Sequence, residues 1–210
     1  MYSLPHFKEQ DDDRILAFMR ENPFAVVIAT GANGRPEATQ VPLLIKTTES
    51  GELILTGHVM KKSDHHTALR HAREALVIFT GAHAYVSASW YVDEMSASTW
   101  NYMTVHARGD VVFRDEPGTV EAVRELTDHY EGQHNKASFG RLPADYIQNL
   151  AKAIDGFDIH VRSLEHVFKL SQNRSQASRE NIITELNKRT DSPSQEIAKE
   201  IRSRIHEPRK

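Results

Sequence analysis

Strand-forming segments follow one another along the chain, and this succession restricts the fold more than any other feature of the sequence. The segments combine β-branched and aromatic residues with alternating polarity, which is typical of half-buried strands. They are FAVVIATG (24–31), EATQVPLLIK (37–46), ELILTGH (52–58), ALVIF (75–79), AYVSASWYV (84–92), TWNYMTVHARGDVVF (99–113) and GFDIHVRSL (156–164). An Asn33-Gly34 turn joins the first two into a predicted β-hairpin. So many strands in one sheet predict a closed or nearly closed barrel.

Helical periodicity is confined to segments around these strands. Helices are predicted at 11–22, from Ser63 or Asp64 onward, at 116–131 and at 144–153. The first begins with acidic residues and ends at Asn22-Pro23, and Ser63 or Asp64 can cap the second. The predicted fold class is therefore mainly β with α (α+β), a barrel with peripheral helices.

The chain ends in a charged segment, residues 176–210, with helical stretches at 179–188 and 194–205. Its composition is too polar for us to expect it in a core. We therefore predict one domain at 1–187, followed by a charged helical C-terminal tail at 188–210.

Composition removes several classes of function. The 210 residues are 39% hydrophobic and 26% charged, an ordinary globular composition, and the net charge of -3 gives no overall basic surface for nucleic acid. The chain has no cysteine, which excludes disulfides, thiolate zinc sites and cysteine nucleophiles. The N-terminal segment lacks the features of a signal peptide, and no apolar run is long enough to span a membrane. These features predict a cytoplasmic protein with no membrane partner.

Some catalytic and metal sites have little support. His65, His66 and His71 lie close together, but the five-residue step from His66 to His71 does not place two ligands on one helix face, so a solvated basic helix explains them better. The sequence leaves open a haem site, because one histidine is enough to bind haem. No glycine-rich nucleotide loop is present, and Ser87 and Ser89 lack the nucleophile elbow of a hydrolase.

Two stretches carry residues suited to an anionic or planar ligand. In GHVMKKS, His58 ends a strand, and Lys61, Lys62 and Ser63 precede a helix, which is a plausible phosphate cradle. The alternative is that the two lysines are ordinary solvated surface.

The second stretch is TWNYMTVH, where strand alternation puts Trp100, Tyr102 and Thr104 on one face. The residues between them, Thr99 and Asn101 among them, lie on the other. One face can fill the barrel while the other meets a ligand.

Together these segments resemble the PaiB family, the FMN-binding negative transcriptional regulators, over residues 1–187. The resemblance rests on MYSLPHF (1–7), ENPFA (21–25), QVPLLI (40–45), LTGHV (55–59), GAHAYVSASWY (81–91), TWNYMTVHARG (99–109), GFDIHV (156–161) and FKLSQNRS (168–175). It implies the FMN-binding split barrel shared with pyridoxamine phosphate oxidases, and a homodimer with each flavin at the subunit interface.

The resemblance also implies which residues meet FMN. It implies that the phosphate of FMN contacts His58, Lys61, Lys62 and Ser63. The ring system borders Thr99, Trp100 and Asn101, and the C-terminal segment approaches the flavin with Gln172, Asn173 and Arg174. An amide such as that of Asn101 suits the polar edge of the flavin ring.

The resemblance leaves three functions open. The first is a flavin-dependent oxidoreductase, although the sequence shows no recognisable general acid or base and no substrate. The second is a regulator that binds DNA, but no helix-turn-helix pattern is legible and the basic residues of the tail alternate with acids. The third is a haem-binding or haem-handling protein. The lysines at 61 and 62 favour the phosphate-bearing cofactor.

Overall fold

The computed structural model of the chain describes residues 1, 4–92 and 96–205. Its strands are β1 (Phe24–Thr30), β2 (Pro36–Pro42), β3 (Leu44–Thr47), β4 (Leu53–Met60), β5 (Glu74–Val86), β6 (Thr99–Phe113) and β7 (Ile154–Lys169). Its α-helices are α1 (Asp12–Glu21), α2 (Asp64–Ala72), α3 (Glu116–Glu131), α4 (Ala144–Ala153), α5 (Gln176–Asn187) and α6 (Ser192–Ser203).

The strands form a single sheet in the order β2-β1-β5-β6-β7-β4-β3. β1 pairs antiparallel with β2 and β5, and β4 pairs antiparallel with β3 and β7. The two ends of this order, β2 and β3, are consecutive in the chain, and only the buried Leu43 separates them. One bent strand therefore borders both β1 and β4 and joins the ends of the sheet. This confirms the predicted barrel and its α+β class.

The β1–β2 hairpin forms where the sequence predicts it. Ala25, Val27 and Ala29 alternate with more exposed residues and face the core. Gly34 in the turn has a φ of 76°, which glycine adopts without steric cost. Local sequence therefore determines this part of the sheet.

Several strand boundaries differ from the prediction: the segment 37–46 is divided at Leu43 into β2 and β3, and β4 continues past His58 to Met60. Residues 75–79 and the start of 84–92 belong to one strand, β5, and Ala88–Trp90 forms a 3₁₀ turn. The side chain of Ser87 accepts a hydrogen bond from the amide of Ser89, which draws this amide into a turn and ends the strand. The last strand, β7, runs beyond residue 164 to Lys169.

The chain divides into two compact units. The terminal unit comprises Met1–Phe18, Thr80–Val105 and the residues from Glu165 onward, and the central unit comprises Met19–Phe79 and His106–Leu164. The core of the central unit includes Val27, Leu43, Leu55, Leu69, Val77, Phe79, Phe157 and Ile159. The core of the terminal unit includes Val105, Phe168, Leu170, Ile182, Leu186, Ile197 and Ile201.

The expectation that the tail is too polar to be core is wrong. Helices α5 and α6 pack against each other, and Ile182, Leu186, Ile197 and Ile201 are fully buried. The buried residues of each helix lie on one face, at spacings of three and four, so this face is enough to bury the helix despite a polar composition. Residues 206–210 of the predicted tail lie outside the described residues, and the domain boundary at 187 stays a prediction.

Candidate functional site

The central unit contains a short turn between β4 and α2, residues 61–63, here called the lysine turn. Ser63 caps α2, because its Oγ accepts from the amide of His66 at 3.1 Å and donates to the carbonyl of Met60 at 3.0 Å. Of the two predicted caps, Ser63 is therefore the one that acts. Lys62 is exposed and has a φ of 64°, a left-handed backbone that few side chains adopt. The turn is thus a fixed feature that presents one lysine at the surface.

The other lysine of the turn is held by an internal carboxylate. Lys61 Nζ lies 3.2 Å from Asp155 and donates to the carbonyl of Ala151 at 3.1 Å. Asp155 also accepts from Arg70 at 2.5 Å and contacts His66 at 2.8 Å. Two permanent cations therefore surround one carboxylate, so the cluster carries a surplus of positive charge.

The charge state of Asp155 follows from these contacts. Burial on its own would raise the pKa of this carboxyl group, but hydrogen bonds from Arg70, His66 and Lys61 outweigh burial and lower the pKa to about 2. Asp155 is therefore ionised at neutral pH and holds the lysine turn against α2.

Phe113 supports the same cluster from β6. The Arg70 guanidinium lies 4.2 Å from the centroid of its ring, and the His66 ring meets it edge-on at 5.5 Å. Arg70 and Asp155 were not predicted from the sequence. The four-residue spacing of His66 and Arg70 on α2 was a usable signal, whereas nothing local relates Asp155 to either of them.

His58 lies on β4 opposite Gly156 of β7. The imidazole is half-buried, and its Nδ1 has no hydrogen-bond partner within the described part of the chain. Burial lowers the pKa of His58, so the ring is neutral at neutral pH. A buried ring nitrogen without a partner is suited to a hydrogen bond with a ligand.

The terminal unit contains the start of β6, and the predicted alternation of faces is confirmed there. Asn101, Met103 and Val105 are buried, whereas 52% of Trp100 is exposed. Asn101 Nδ2 donates to Ser171 Oγ at 2.9 Å, inside the core. The amide of Asn101 thus links β6 to the turn after β7.

Trp100 belongs to an exposed cluster, here called the aromatic patch, that also contains His83 and Tyr85 of β5. The ring centroid of Trp100 lies 5.5 Å from that of His83 and 6.0 Å from that of Tyr85. Both β5 residues are exposed. His83 and Tyr85 were not predicted as site residues, because the pairing of β5 with β6 is not visible in the sequence.

The C-terminal segment meets the region around Thr99. Lys169 Nζ donates to Thr99 Oγ1 at 2.5 Å. Arg174 Nη1 donates to Ser96 Oγ at 2.8 Å, and its guanidinium lies 4.3 Å from the centroid of the Tyr91 ring. Thr99 and Arg174 therefore lie in the same part of the terminal unit. Their partners Lys169, Ser96 and Tyr91 lie there too.

The remaining two predicted residues have different surroundings. Gln172 closes the turn after β7, since its Oε1 accepts from the amide of Leu170 at 2.7 Å and its Nε2 donates to the carbonyl of Phe168. Asn173 is exposed. Gln172 thus shapes the backbone, and Asn173 is free to meet a ligand.

The predicted site residues fall into two groups. The central unit holds His58, Lys61, Lys62 and Ser63; the terminal unit holds Thr99, Trp100, Asn101, Gln172, Asn173 and Arg174. Within residues 1, 4–92 and 96–205, no three His, Asp or Glu side chains are arranged to hold a metal ion. None of the helices in those ranges is long and apolar enough to cross a membrane.

Comparisons with known proteins agree with this architecture. Residues 1–163 match the sequence model of a family described as "Putative FMN-binding domain". Over 206 residues the chain is 29% identical to the protease synthase and sporulation protein PAI 2 of Bacillus subtilis, with 98% of each chain covered.

Two solved structures share the fold. One is the FAD and heme binding protein from Mycobacterium smegmatis, with a TM-score of 0.58, 16% identity, and 77% of this chain and 72% of that chain covered. The other is the flavocytochrome Anf3 from Azotobacter vinelandii, with a TM-score of 0.57, 18% identity, and 76% and 68% covered. The family resemblance and the split-barrel fold are therefore confirmed.

Proposed function

The chain belongs to the family of FMN-binding domains, whose sequence model it matches over residues 1–163, and from that membership we propose that it binds FMN as a flavoprotein of the PaiB type. The observation that carries the proposal is the surplus of positive charge at the lysine turn, where α2 begins. A bound flavin would supply electron and hydride transfer, while the protein supplies binding and orientation.

The lysine turn fits the phosphate of FMN. A dianionic phosphate requires cationic side chains and free backbone amides, and the start of a helix offers both the amides and a favourable dipole. Lys62 is exposed, and 51% of the Arg70 side chain is accessible. We assign the phosphate contacts to these two cations. Lys61 and Ser63 then hold the turn in place, and His58 Nδ1 is available to donate to or accept from the ligand.

The aromatic patch fits the flat face of a flavin ring. Trp100 presents an exposed aromatic surface beside Tyr85, whereas Thr99 lies on the other face of β6 and accepts a hydrogen bond from Lys169. Asn101, in contrast, is buried and bonded to Ser171, so we infer that it fixes the position of Thr99 and Trp100. In this arrangement the protein binds and orients the ring.

We also propose that the functional form is a homodimer with the flavin at the subunit interface. An exposed tryptophan and tyrosine on one sheet face form an apolar surface of the kind that protein interfaces cover. A second copy of the chain can cover that surface and complete the site with its own residues.

The absorbance spectrum of the purified protein tests flavin binding. We expect the visible bands of oxidised flavin, or their appearance on titration with FMN, together with a rise in melting temperature. FMN at a hundred times its Kd would add about 2.7 kcal/mol of stability. A colourless protein whose melting temperature does not respond to FMN would contradict the proposal.

Haem is the second candidate, supported by an exposed imidazole. His83 lies beside Trp100 in the aromatic patch, and the similar structure from Mycobacterium smegmatis is named as a heme binding protein. A Soret band on titration with haem that disappears in His83→Ala would favour haem over FMN. The same titration in His71→Ala, a change at an exposed histidine of α2, is the control.

Direct DNA binding remains a prediction from the family resemblance. Three basic residues that follow the last two helices have intramolecular partners: Lys188 pairs with Glu185, Arg204 with Glu200, and Arg189 lies over Trp90. If the protein binds DNA through cations, its affinity falls steeply as salt rises. An unchanged mobility of DNA in a gel assay at low salt would contradict DNA binding.

A further inference from the structure

Helix α2 carries a buried histidine with no hydrogen bond. Only 4% of His65 is exposed, and neither of its ring nitrogens has a partner in the described part of the molecule. This corrects the prediction of a solvated basic helix, since His71 is exposed as expected but His65 is not. Buried polar groups almost always have a partner, so two unbonded ring nitrogens require an explanation.

His65 belongs to the face that α2 packs against the sheet. The buried residues of the helix are His65, Ala68 and Leu69, and spacings of three and four place them on one face. The helix packs against β1 and β2. His65 lies in the first turn of α2, two residues after the Ser63 cap. The ring therefore helps to hold the start of the helix in place.

The strands beside α2 carry one ionisable residue. β1 has none, and β2 has Glu37, which is half-buried. On α2 itself, Asp64 is exposed, and His66 and Arg70 contact Asp155. The charged groups of the helix are thus directed to water or to Asp155, and the buried imidazole is left among apolar neighbours.

Protonation of the buried ring is unfavourable. Burial lowers the pKa of His65 below its usual 6.5, and the negative charge of Glu37 offsets burial only in part. The folded chain therefore holds the neutral ring, whereas in the unfolded chain the ring takes up a proton near pH 6.5. The contribution of the neutral ring to stability is complete above pH 6.5 and is lost as pH falls from there towards the folded pKa.

We propose that His65 is a protonation switch for the lysine turn: the neutral ring holds α2 against β1 and β2, and the protonated ring moves into water and releases the first turn of the helix. Ser63 caps that turn through the amide of His66, so residues 61–63 lose their fixed shape when the turn opens. Acidification then releases the phosphate of FMN. This last step rests on the proposed function, whereas the opening of α2 does not.

Hydrogen exchange of the α2 amides in the full-length chain without added FMN tests the opening. In the wild type, their protection should fall below pH 6.5 by up to about tenfold for each pH unit, the limit for one proton. His65→Phe keeps a ring but binds no proton, so its protection should depend far less on pH. His71→Phe, a change at the exposed histidine of the same helix, is the matched control and should behave as the wild type does. Equal pH dependence in the wild type and His65→Phe would overturn the proposal.

An NMR titration of the His65 ring in the wild type needs no substitution and decides the question if His65→Phe does not fold. Loss of α2 protection that follows the protonation of this ring would support the switch. A ring that is half-protonated at or above pH 6.5 in the folded chain would overturn it.

Release of the flavin is measured as the pH dependence of FMN affinity. The phosphate of FMN itself takes up a proton at about pH 6, so the wild type is compared with His65→Phe at each pH. Between about pH 8 and about pH 5, the wild type should lose about tenfold more affinity than His65→Phe does. Equal losses would overturn the link between His65 and the phosphate. A wild type that binds no flavin would contradict the proposed function instead, and the exchange experiment would still decide whether His65 opens α2.

Discussion

At the scale of single residues, Asp155 determines the geometry of the lysine turn. Its carboxylate is almost fully buried and accepts contacts from Lys61 and Arg70, which lie on either side of the start of α2. Because the pKa of Asp155 is about 2 in the folded protein and 3.8 in the unfolded chain, the ionised form stabilises the fold. One buried acid thereby organises the cations that we assign to FMN.

Asp155→Asn should lower the free energy of unfolding at pH 7 by about 2 kcal/mol, which is the energy equivalent of this pKa difference. In the wild type this contribution is complete at neutral pH and is lost as pH falls from about 4 to about 2, because the folded pKa is depressed. Urea denaturation at several pH values measures both effects. Asp110→Asn is the control, since Asp110 pairs with Arg162 at an exposed position and should contribute far less. Equal stability of the two variants would contradict the role of Asp155.

Asn101 and Trp100 are neighbours in sequence with different predicted roles. Asn101→Ala removes a buried amide and leaves Ser171 without that partner, so the free energy of unfolding should fall by about 2 kcal/mol. Trp100→Ala removes an exposed ring and should weaken flavin binding with little loss of stability. Thermal denaturation and FMN titration of both variants make the comparison. If instead Asn101→Ala weakened flavin binding and Trp100→Ala lowered stability, Asn101 would contact the flavin directly, as the sequence predicts.

At the scale of elements, local patterns predict structure well where the partner lies nearby in the chain. The β1–β2 hairpin follows from alternation and an Asn-Gly turn, and the start of α2 follows from Ser63. Helices α5 and α6 were also predicted, but their burial was not. Each helix buries only three apolar side chains, and the sequence does not show that those of one helix face those of the other.

The α5–α6 pair should therefore contribute to stability as a core element. Ile201→Ala should lower the free energy of unfolding by about 3 kcal/mol, because Ile201 is fully buried. Arg202→Ala, a change at the next and exposed residue, should change it by less than about 0.5 kcal/mol. Chemical denaturation of both variants measures the difference. If Ile201→Ala were as stable as the wild type, α6 would be a peripheral tail.

At the scale of the whole molecule, the sequence predicts a barrel but not how it closes. Closure depends on β2 and β3 being one bent strand, and on the pairing of β4 with β7, which are about a hundred residues apart. The contact of Lys61 with Asp155 depends on the same distant pairing. The sequence therefore predicted the lysine turn as a phosphate site but could not show that one of its lysines is bound internally.

The proposed dimer is a prediction at this scale. Light scattering should give twice the chain mass for the wild type, with a larger monomer fraction in the double variant Tyr85→Ser, Trp100→Ser, because that change removes the exposed rings. Tyr130→Ser and Tyr146→Ser change exposed tyrosines of the central unit and serve as controls. A monomeric wild type at all concentrations would contradict an interfacial flavin.

The central claim is that the lysine turn binds the phosphate of FMN, and a comparison of FMN with riboflavin tests it most directly. Riboflavin has the same ring system but no phosphate, so the ratio of the two affinities isolates the phosphate contacts. The wild type should bind FMN more tightly than riboflavin by about tenfold or more, and Lys62→Gln should reduce that ratio while Lys188→Gln leaves it unchanged. Equal affinities for FMN and riboflavin in the wild type, or a ratio that Lys62→Gln does not alter, would contradict the claim.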